Sequence, residues 1–202
     1  ISLGDNKKHN MLLTGPNAGG KSTFIKSISI SLLFSQTLGI SFSKTCHITP
    51  FSFINTYLNI PDIKGKESLF EAEMHRCKDY LELLENLDSN EFSFIVMDEI
   101  FSSTNPKEGI AGAYAICNKL STFKNSISVI TTHFSKLTDL EKTNETFTNY
   151  KIPISRNEDD EIIYPYKLMQ GVSDQFIALE LLKKKGFNQD IIDNAIKICK
   201  DN

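Results

Sequence analysis

Eight consecutive residues constrain this chain more than any other: Gly15-Pro16-Asn17-Ala18-Gly19-Gly20-Lys21-Ser22, a match to G-x4-G-K-[ST]. The motif needs a particular setting, with a strand delivering the chain and a helix leading it away. Both signals are present. Met11-Leu12-Leu13-Thr14 is a short apolar strand, and from Ser22 to about Thr37 the apolar residues Phe24, Ile25, Ile28, Leu32 and Leu33 recur at helical spacing before Gly39 stops them. Glycines let the backbone curl so that successive N–H groups face phosphate oxygens at the positive end of a helix. Lys21 then supplies a compact charge to the β- and γ-phosphates, and the Ser22 hydroxyl is placed to ligate Mg²⁺. The pattern predicts ATP and Mg²⁺ as ligands.

Downstream, Phe92–Met97 is a near-continuous apolar run, as expected of a strand buried on both faces, and it ends in Asp98-Glu99. Open α/β sheets bind ligands beyond the carboxyl ends of their strands. Asp98 is therefore the expected Mg²⁺ ligand and Glu99 the general base that polarises the attacking water. The next strand, Ile127–Thr131, ends in Thr132-His133, and His133 is the candidate to touch the γ-phosphate or that water.

Other segments complete the outline. Residues 48–58 are strand-like, and Pro61-Asp62 with Gly65 marks a loop. Ser68-Leu69-Phe70-Glu71 reads as a capping box opening a helix whose apolar face is Phe70, Met74, Cys77, Leu81 and Leu84. Ile110, Ala113, Cys117 and Leu120 mark another amphipathic helix. From Thr146 to Leu168, two strand-like stretches around the acidic turn Arg156–Glu161 predict a hairpin. Two closing helices follow, one opened by Gly171-Val172-Ser173-Asp174 and one over about Gln189–Lys200. Strands alternating with helices predict an α/β fold, a mostly parallel central sheet flanked by helices, with an appended C-terminal helical pair. The expected division is an ATPase core over 1–170 and a helical segment over 171–202.

Composition narrows the function. The net charge is −3 and only Arg76 and Arg156 are arginines, a poor endowment for gripping duplex DNA directly. No run reaches the roughly 18 apolar residues of a membrane span, and no secretory leader is visible, so no membrane partner is expected. The start at Ile1 suggests an excised or processed chain. Cys46, Cys77, Cys117 and Cys199 form no CxxC and no Cys/His cluster, which predicts buried thiols in a reducing, intracellular compartment without distinguishing nucleus, nucleoid or cytoplasm.

With these motifs in place, the chain resembles the MutS family of DNA mismatch-repair ATPases along nearly its whole length. TGPNAGGKST at 14–23 looks like that family's P-loop, which usually has Met where this chain has Ala18. Gln36 matches the glutamine of the family's Q-loop. SLFEAEM at 68–74 is similar to S-T-F-M-x-E-M, DEIFSSTNPKEG at 98–109 to D-E-x-G-R-G-T-S-x-x-D-G, and TTHF at 131–134 to A-T-H-[YF]. The segment 171–187, with the last helix, is similar to the family's closing dimerisation helices.

The resemblance implies a P-loop NTPase of the ABC type whose ATPase heads pair, as homo- or heterodimers, around two ATP molecules. Gly15 to Ser22, Thr23 and Gln36 would bind nucleotide in cis, with Lys21, Glu99 and His133 in the chemistry and Ser22 and Asp98 on the metal. Ser68 would reach the partner's nucleotide in trans. ATP would drive dimer and clamp switching on DNA held by domains absent from this chain. One departure stands out: the family's arginine is Ser102 here, with Lys107 and Arg76 as candidates for a substitute charge. The competing expectations are an ABC-type head from another chromosome-maintenance or transport complex, and a nucleotide-gated interaction module with little turnover.

Overall fold

A computed structural model describes residues 1–4, 8–58, 68–158, 161–173 and 185–201. Its centre is a six-stranded sheet in the order β2-β3-β4-β1-β5-β8. The strands are β1 (Asn10–Thr14), β2 (Phe53–Tyr57), β3 (Ser93–Met97), β4 (Ser126–Thr131), β5 (Phe147–Lys151) and β8 (Met169–Gln170). The first five run parallel, and β8 is antiparallel to β5. Two further short strands, β6 (Ser155–Arg156) and β7 (Ile162–Ile163), pair with each other. The expected α/β architecture with a mainly parallel, helix-flanked sheet is what forms.

Side chains alternate across a strand, so each strand feeds two cores. On one face Met11, Leu13, Phe94, Val96 and Val129 pack with Ile25 of α1 (Lys21–Leu38). On the other, Leu12, Ile95, Met97 and Ile130 pack with Cys77, Tyr80 and Leu84 of α2 (Leu69–Glu85) and with Ala113, Cys117 and Leu120 of α3 (Pro106–Leu120). All five residues of β1 and of β3 are buried. Each fully buried large aliphatic side chain contributes about 1.5–3 kcal/mol, so both strand ends are held rigidly.

Several sequence expectations need correction. Only Phe53–Tyr57 of the segment 48–58 is strand, because Pro50 has no N–H to give a ladder. The face of α2 is rotated: Ala72, Glu73, Cys77, Tyr80 and Leu84 are buried, whereas Met74 is 41% exposed. Polar side chains take core positions there because partners await them. The Tyr80 hydroxyl sits 3.0 Å from Ser93 Oγ and 2.9 Å from Ser126 Oγ, and Ser103 Oγ donates to Glu73 Oε2 at 2.7 Å. The region 146–168 is not one hairpin; Phe147–Lys151 joins the main sheet beside β1, and only the four residues of β6 and β7 pair around the acidic turn.

A 3-10 turn at Ser135–Asp139 and the short helix α4 (Leu140–Thr143) follow β4 without an expectation to match. The last helix, α5, spans Gln189–Asp201. The loop at 61–65 and, from residue 174 on, the helix expected to open at Gly171-Val172-Ser173-Asp174 lie outside the described residues; residues 171–173 are not helical. Cys77 and Cys117 are buried free thiols, but Cys46 is exposed. Among the described residues no helix is long and apolar enough to cross a membrane.

Candidate functional site

The glycine-rich loop joins β1 to α1. Gly20 takes φ 98 as the N-cap of α1, in the left-handed region where a Cβ is costly. Gly15 approaches the chain leaving β5 so closely that a Cβ there would stand 3.0 Å from the Ile152 carbonyl oxygen. Helix α1 has no side-chain cap and no acidic residue in its first turn. By contrast, α2 carries a complete capping box and α3 is capped by Asn105. The first N–H groups of α1 are thus left for an external anion, at the positive end of an 18-residue dipole. Asn17 and Ala18 are exposed at the loop's crest, and Ala18 takes φ 64. Ser22 and Thr23 are exposed on the first turn of α1.

Lys21 is only 5% exposed. Its Nζ donates to the carbonyls of Gly15 at 3.0 Å and Pro16 at 3.4 Å, which holds the ammonium inside the loop's curl. The same Nζ is 3.6 Å from Glu99 Oε1. The other oxygen, Glu99 Oε2, lies 3.9 Å from His133 Nδ1. Glu99 therefore bridges Lys21 and His133, with the three residues delivered by the carboxyl ends of β3, β1 and β4.

Next to Glu99, Asp98 Oδ1 accepts a 2.6 Å hydrogen bond from Thr131 Oγ1. The second Asp98 oxygen has no hydrogen-bond partner among the described residues. The Glu99 N–H donates to Thr131 Oγ1 at 2.9 Å and to the Thr131 carbonyl at 3.2 Å. Glu99 itself takes φ 52, so the turn that aims it is a left-handed one. Among the described residues, no three His, Cys, Asp or Glu gather as a metal cage. The oxygens at hand are the Ser22 hydroxyl and the Asp98 carboxylate. Such a sparse, hard donor set suits Mg²⁺ shared with phosphates rather than a metal held by protein alone.

Two sequence candidates lie away from this cluster. Gln36 is fifteen residues beyond Lys21 on α1, or about 22 Å along its axis. Its amide donates to the Phe51 carbonyl at 3.0 Å and accepts from the Phe51 N–H at 2.8 Å. There it clamps the loop after α1 against the sheet edge. Ser68 is exposed at the N-cap of α2. Its Oγ accepts from the Glu71 N–H at 3.3 Å, and Glu71 Oε2 accepts from the Ser68 N–H at 2.8 Å. The Ser68 N–H, together with the Ser68 hydroxyl that donates to the same Glu71 Oε2 at 3.0 Å, holds the Glu71 carboxyl below the usual range.

Of the two substitute-charge candidates, Arg76 donates to the Thr56 carbonyl at 3.3 Å on the β2 edge. Lys107 is exposed in the first turn of α3.

Three features were not read from the sequence. Thr131 is fully buried and touches both acids. The Tyr166 ring packs against the glycine-rich loop, where a Cβ on Gly20 would stand 3.1 Å from its Cδ1. Tyr166 is nevertheless 69% exposed, and Tyr164 stacks on it with centroids 6.2 Å apart. Glu73 ties α2 to the loop after Glu99 through Ser103, and burial pushes its carboxyl upward. The nearby Tyr57 hydroxyl makes no hydrogen bond of regular geometry. The available signals were a hydroxyl immediately before Thr132-His133, the Tyr-Pro-Tyr string, and a glutamate inside an apolar helical stripe.

Comparison with known proteins agrees with this outline. The chain is 31% identical over 200 residues to the DNA mismatch repair protein MutS of Thermotoga sp. (strain RQ2), covering 98% of this chain and 24% of that protein. It is 30% identical over 203 residues to MutS of Finegoldia magna, covering 100% of this chain and 23% of the relative. It is 31% identical over 203 residues to the DNA mismatch repair protein MSH3 of Debaryomyces hansenii, covering 96% and 19%. The chain thus spans about a quarter or less of the length of these relatives. Residues 11–201 match the family model described as MutS domain V, and the chain belongs to that family.

Proposed function

We propose that this chain is a P-loop module of the ABC type that binds and hydrolyses MgATP within a DNA mismatch repair protein. The observation that carries the proposal is the bridge made by Glu99. One oxygen faces Lys21 in the glycine-rich loop, and the other faces His133 at the end of β4. Phosphates would lie on the uncapped first turn of α1, where backbone N–H groups and Lys21 meet the negative charge. Glu99, beside that position, accepts the proton of the attacking water. His133, 51% exposed, is free to donate toward the γ-phosphate. Bound Mg²⁺, held by Ser22 and Asp98, would supply charge to the β- and γ-oxygens. Tyr166 offers an aromatic face beside Gly20 for the base.

Ser68 stands exposed at the N-cap of α2, as required of a residue that completes the nucleotide site of a second subunit. The assembly would be a homo- or heterodimer, with DNA held by domains outside these 202 residues. The test is Mg²⁺-dependent ATP turnover. Glu99→Gln is expected to keep nucleotide binding and to lose turnover by at least about a hundredfold. Unchanged turnover would remove Glu99 as the base. One observation favours a second reading, a nucleotide-gated module with little turnover: Ser102 replaces the family's arginine, and Arg76 is engaged on Thr56 instead. Wild-type turnover separates the two.

A further inference from the structure

Thr131 stands where the family's A-T-H-[YF] motif has alanine, so its hydroxyl is a feature of this chain rather than of the pattern it matches. A threonine buried at the end of a central strand ordinarily satisfies its O–H on a nearby backbone carbonyl. This one does not. Its single proton goes to Asp98 Oδ1, at 2.6 Å, the length of a charge-assisted bond. A lone pair of the same oxygen accepts the Glu99 N–H at 2.9 Å. The Thr131 carbonyl accepts that N–H as well, at 3.2 Å. One fully buried residue therefore touches the side chain of one acid and the backbone of the next.

Both contacts bear on geometry that is otherwise costly. Glu99 sits at φ 52, a left-handed conformation that is unfavourable for any residue with a Cβ. The pair of acceptors on Thr131 fixes the N–H that enters this turn, and so fixes where the Glu99 carboxylate is aimed. Asp98, half-buried at the strand end, has one oxygen engaged by the hydroxyl, which restricts the rotamer and leaves the other oxygen without a hydrogen bond among the described residues.

We propose that Thr131 is a positioning residue for both acids: its hydroxyl orients Asp98 toward the divalent cation and, with its own carbonyl, holds the left-handed turn that aims Glu99. The proposal rests on the MgATP reading, and its test is arranged so that the two can fail separately. Thr131→Ala places the family's residue at the position, Thr131→Val keeps the volume without the hydroxyl, and Thr131→Ser keeps the hydroxyl without the methyl.

Three readouts are taken on the full chain. In the nucleotide-free protein, hydrogen exchange at the Glu99 amide is expected to accelerate roughly tenfold or more in the Ala and Val variants and to stay near wild type in Ser. In fluorescence titrations with a labelled ATP analogue, the Mg²⁺ concentration for half-maximal binding is expected to rise several-fold in Ala and Val, with Mg²⁺-free affinity unchanged. In turnover, kcat is expected to fall roughly ten- to hundredfold while the KM for ATP moves little, with Ser restoring it.

Absent wild-type turnover would refute hydrolysis, while the exchange and Mg²⁺ readouts would still decide the role of Thr131. Wild-type-like exchange and Mg²⁺ dependence in both Ala and Val would overturn the proposal. So would a Ser variant that matches Val in all three measurements, because the hydroxyl would then be irrelevant.

Discussion

Gly109→Ala tests how rigidly the loop behind Glu99 is fixed. In an open helix this change stabilises, since glycine costs about 1 kcal/mol relative to alanine. Gly109 is not open. It lies in the first turns of α3 against the chain that leaves Glu99, and a Cβ there would stand 2.5 Å from the Phe101 carbonyl oxygen. Reaching a 3.4 Å contact requires roughly 0.9 Å of displacement. Phe101 cannot move cheaply, because its backbone is at φ 56 and its side chain is 5% exposed. Overpacking of this kind costs about 1–3 kcal/mol, and backbone on both sides puts it near the upper end.

The net expectation is a loss of about 1–2 kcal/mol, or about 2–8 °C in Tm for a chain of this size. Urea unfolding measures it as a lower midpoint at unchanged m. Gly112→Ala is the control: its Cβ would meet the Phe101 ring at 2.9 Å, a side chain rather than backbone. In a Phe101→Gly background, Gly112→Ala should become harmless and Gly109→Ala should cost less, because neither a strained φ nor a buried ring then holds the carbonyl in place. A Gly109→Ala protein as stable as wild type, or more so, would refute the reasoning about this loop.

Ser68→Ala removes the N-cap of α2 and should cost about 0.5–2 kcal/mol in unfolding experiments; in mixed dimers it should lower turnover at the partner's site and spare its own, and equal loss at both sites would contradict the trans role. Tyr166→Ala should weaken ATP binding by about 1–3 kcal/mol while leaving inorganic triphosphate affinity unchanged, as a calorimetric titration would show. Glu73 gives a pH dependence with a definite sign. Burial raises its folded-state pKa above the ordinary 4.5, so the folded protein holds that proton more tightly. Its contribution to stability is therefore greatest below 4.5 and declines as pH rises through the folded value. The stability of wild type minus that of Glu73→Gln should fall in urea midpoints as pH rises above 4.5, and a flat difference would mean that Glu73 is not strained by burial.

What could be read beforehand was local. The glycine-rich loop is defined by contiguous residues, and FIVMDE announces a buried strand ending in acid, so both ends of the Lys21–Glu99 pair were visible before any coordinates. Which strands neighbour one another was not written in periodicity: β4 between β1 and β3, and β5 beside β1, are choices of the whole sheet. Tyr166 meets Gly20 across 146 residues of chain, with no repeating pattern to announce it. The rotation of α2 escaped because hydropathy assigns Glu73 and Tyr80 to solvent and Met74 to the core. The opposite holds once Ser103, Ser93 and Ser126 supply partners. The bond from Gln36 to Phe51, about 22 Å along α1 from Lys21, had no sequence signal because it depends on how the loop after α1 folds back on the sheet.

The residues that depart from the family motif after Asp98-Glu99 belong to one rearrangement. The motif D-E-x-G-R-G-T has glycine at the position that here is Phe101, and the backbone there is left-handed. A phenylalanine in that conformation costs about 1–2 kcal/mol. Its ring recovers this by burial, contributing about 1.5–3 kcal/mol, against the notch left by Gly112 and edge-on to Phe70 at 5.4 Å. Two residues on, Ser103 donates to Glu73 where the motif has a second glycine. Both contacts reach α2, the helix whose N-cap is Ser68. The loop that carries Glu99 is thereby fastened to α2 from within the subunit, by an aromatic pair and a partly buried hydrogen bond. Ser102, between these two anchors, is exposed and points no charge at its surroundings. Losing the arginine therefore leaves the placement of Glu99 intact and removes a charge only from the outer side of the loop. If the proposed dimer forms, coupling between its subunits would depend more on α2 and less on a guanidinium.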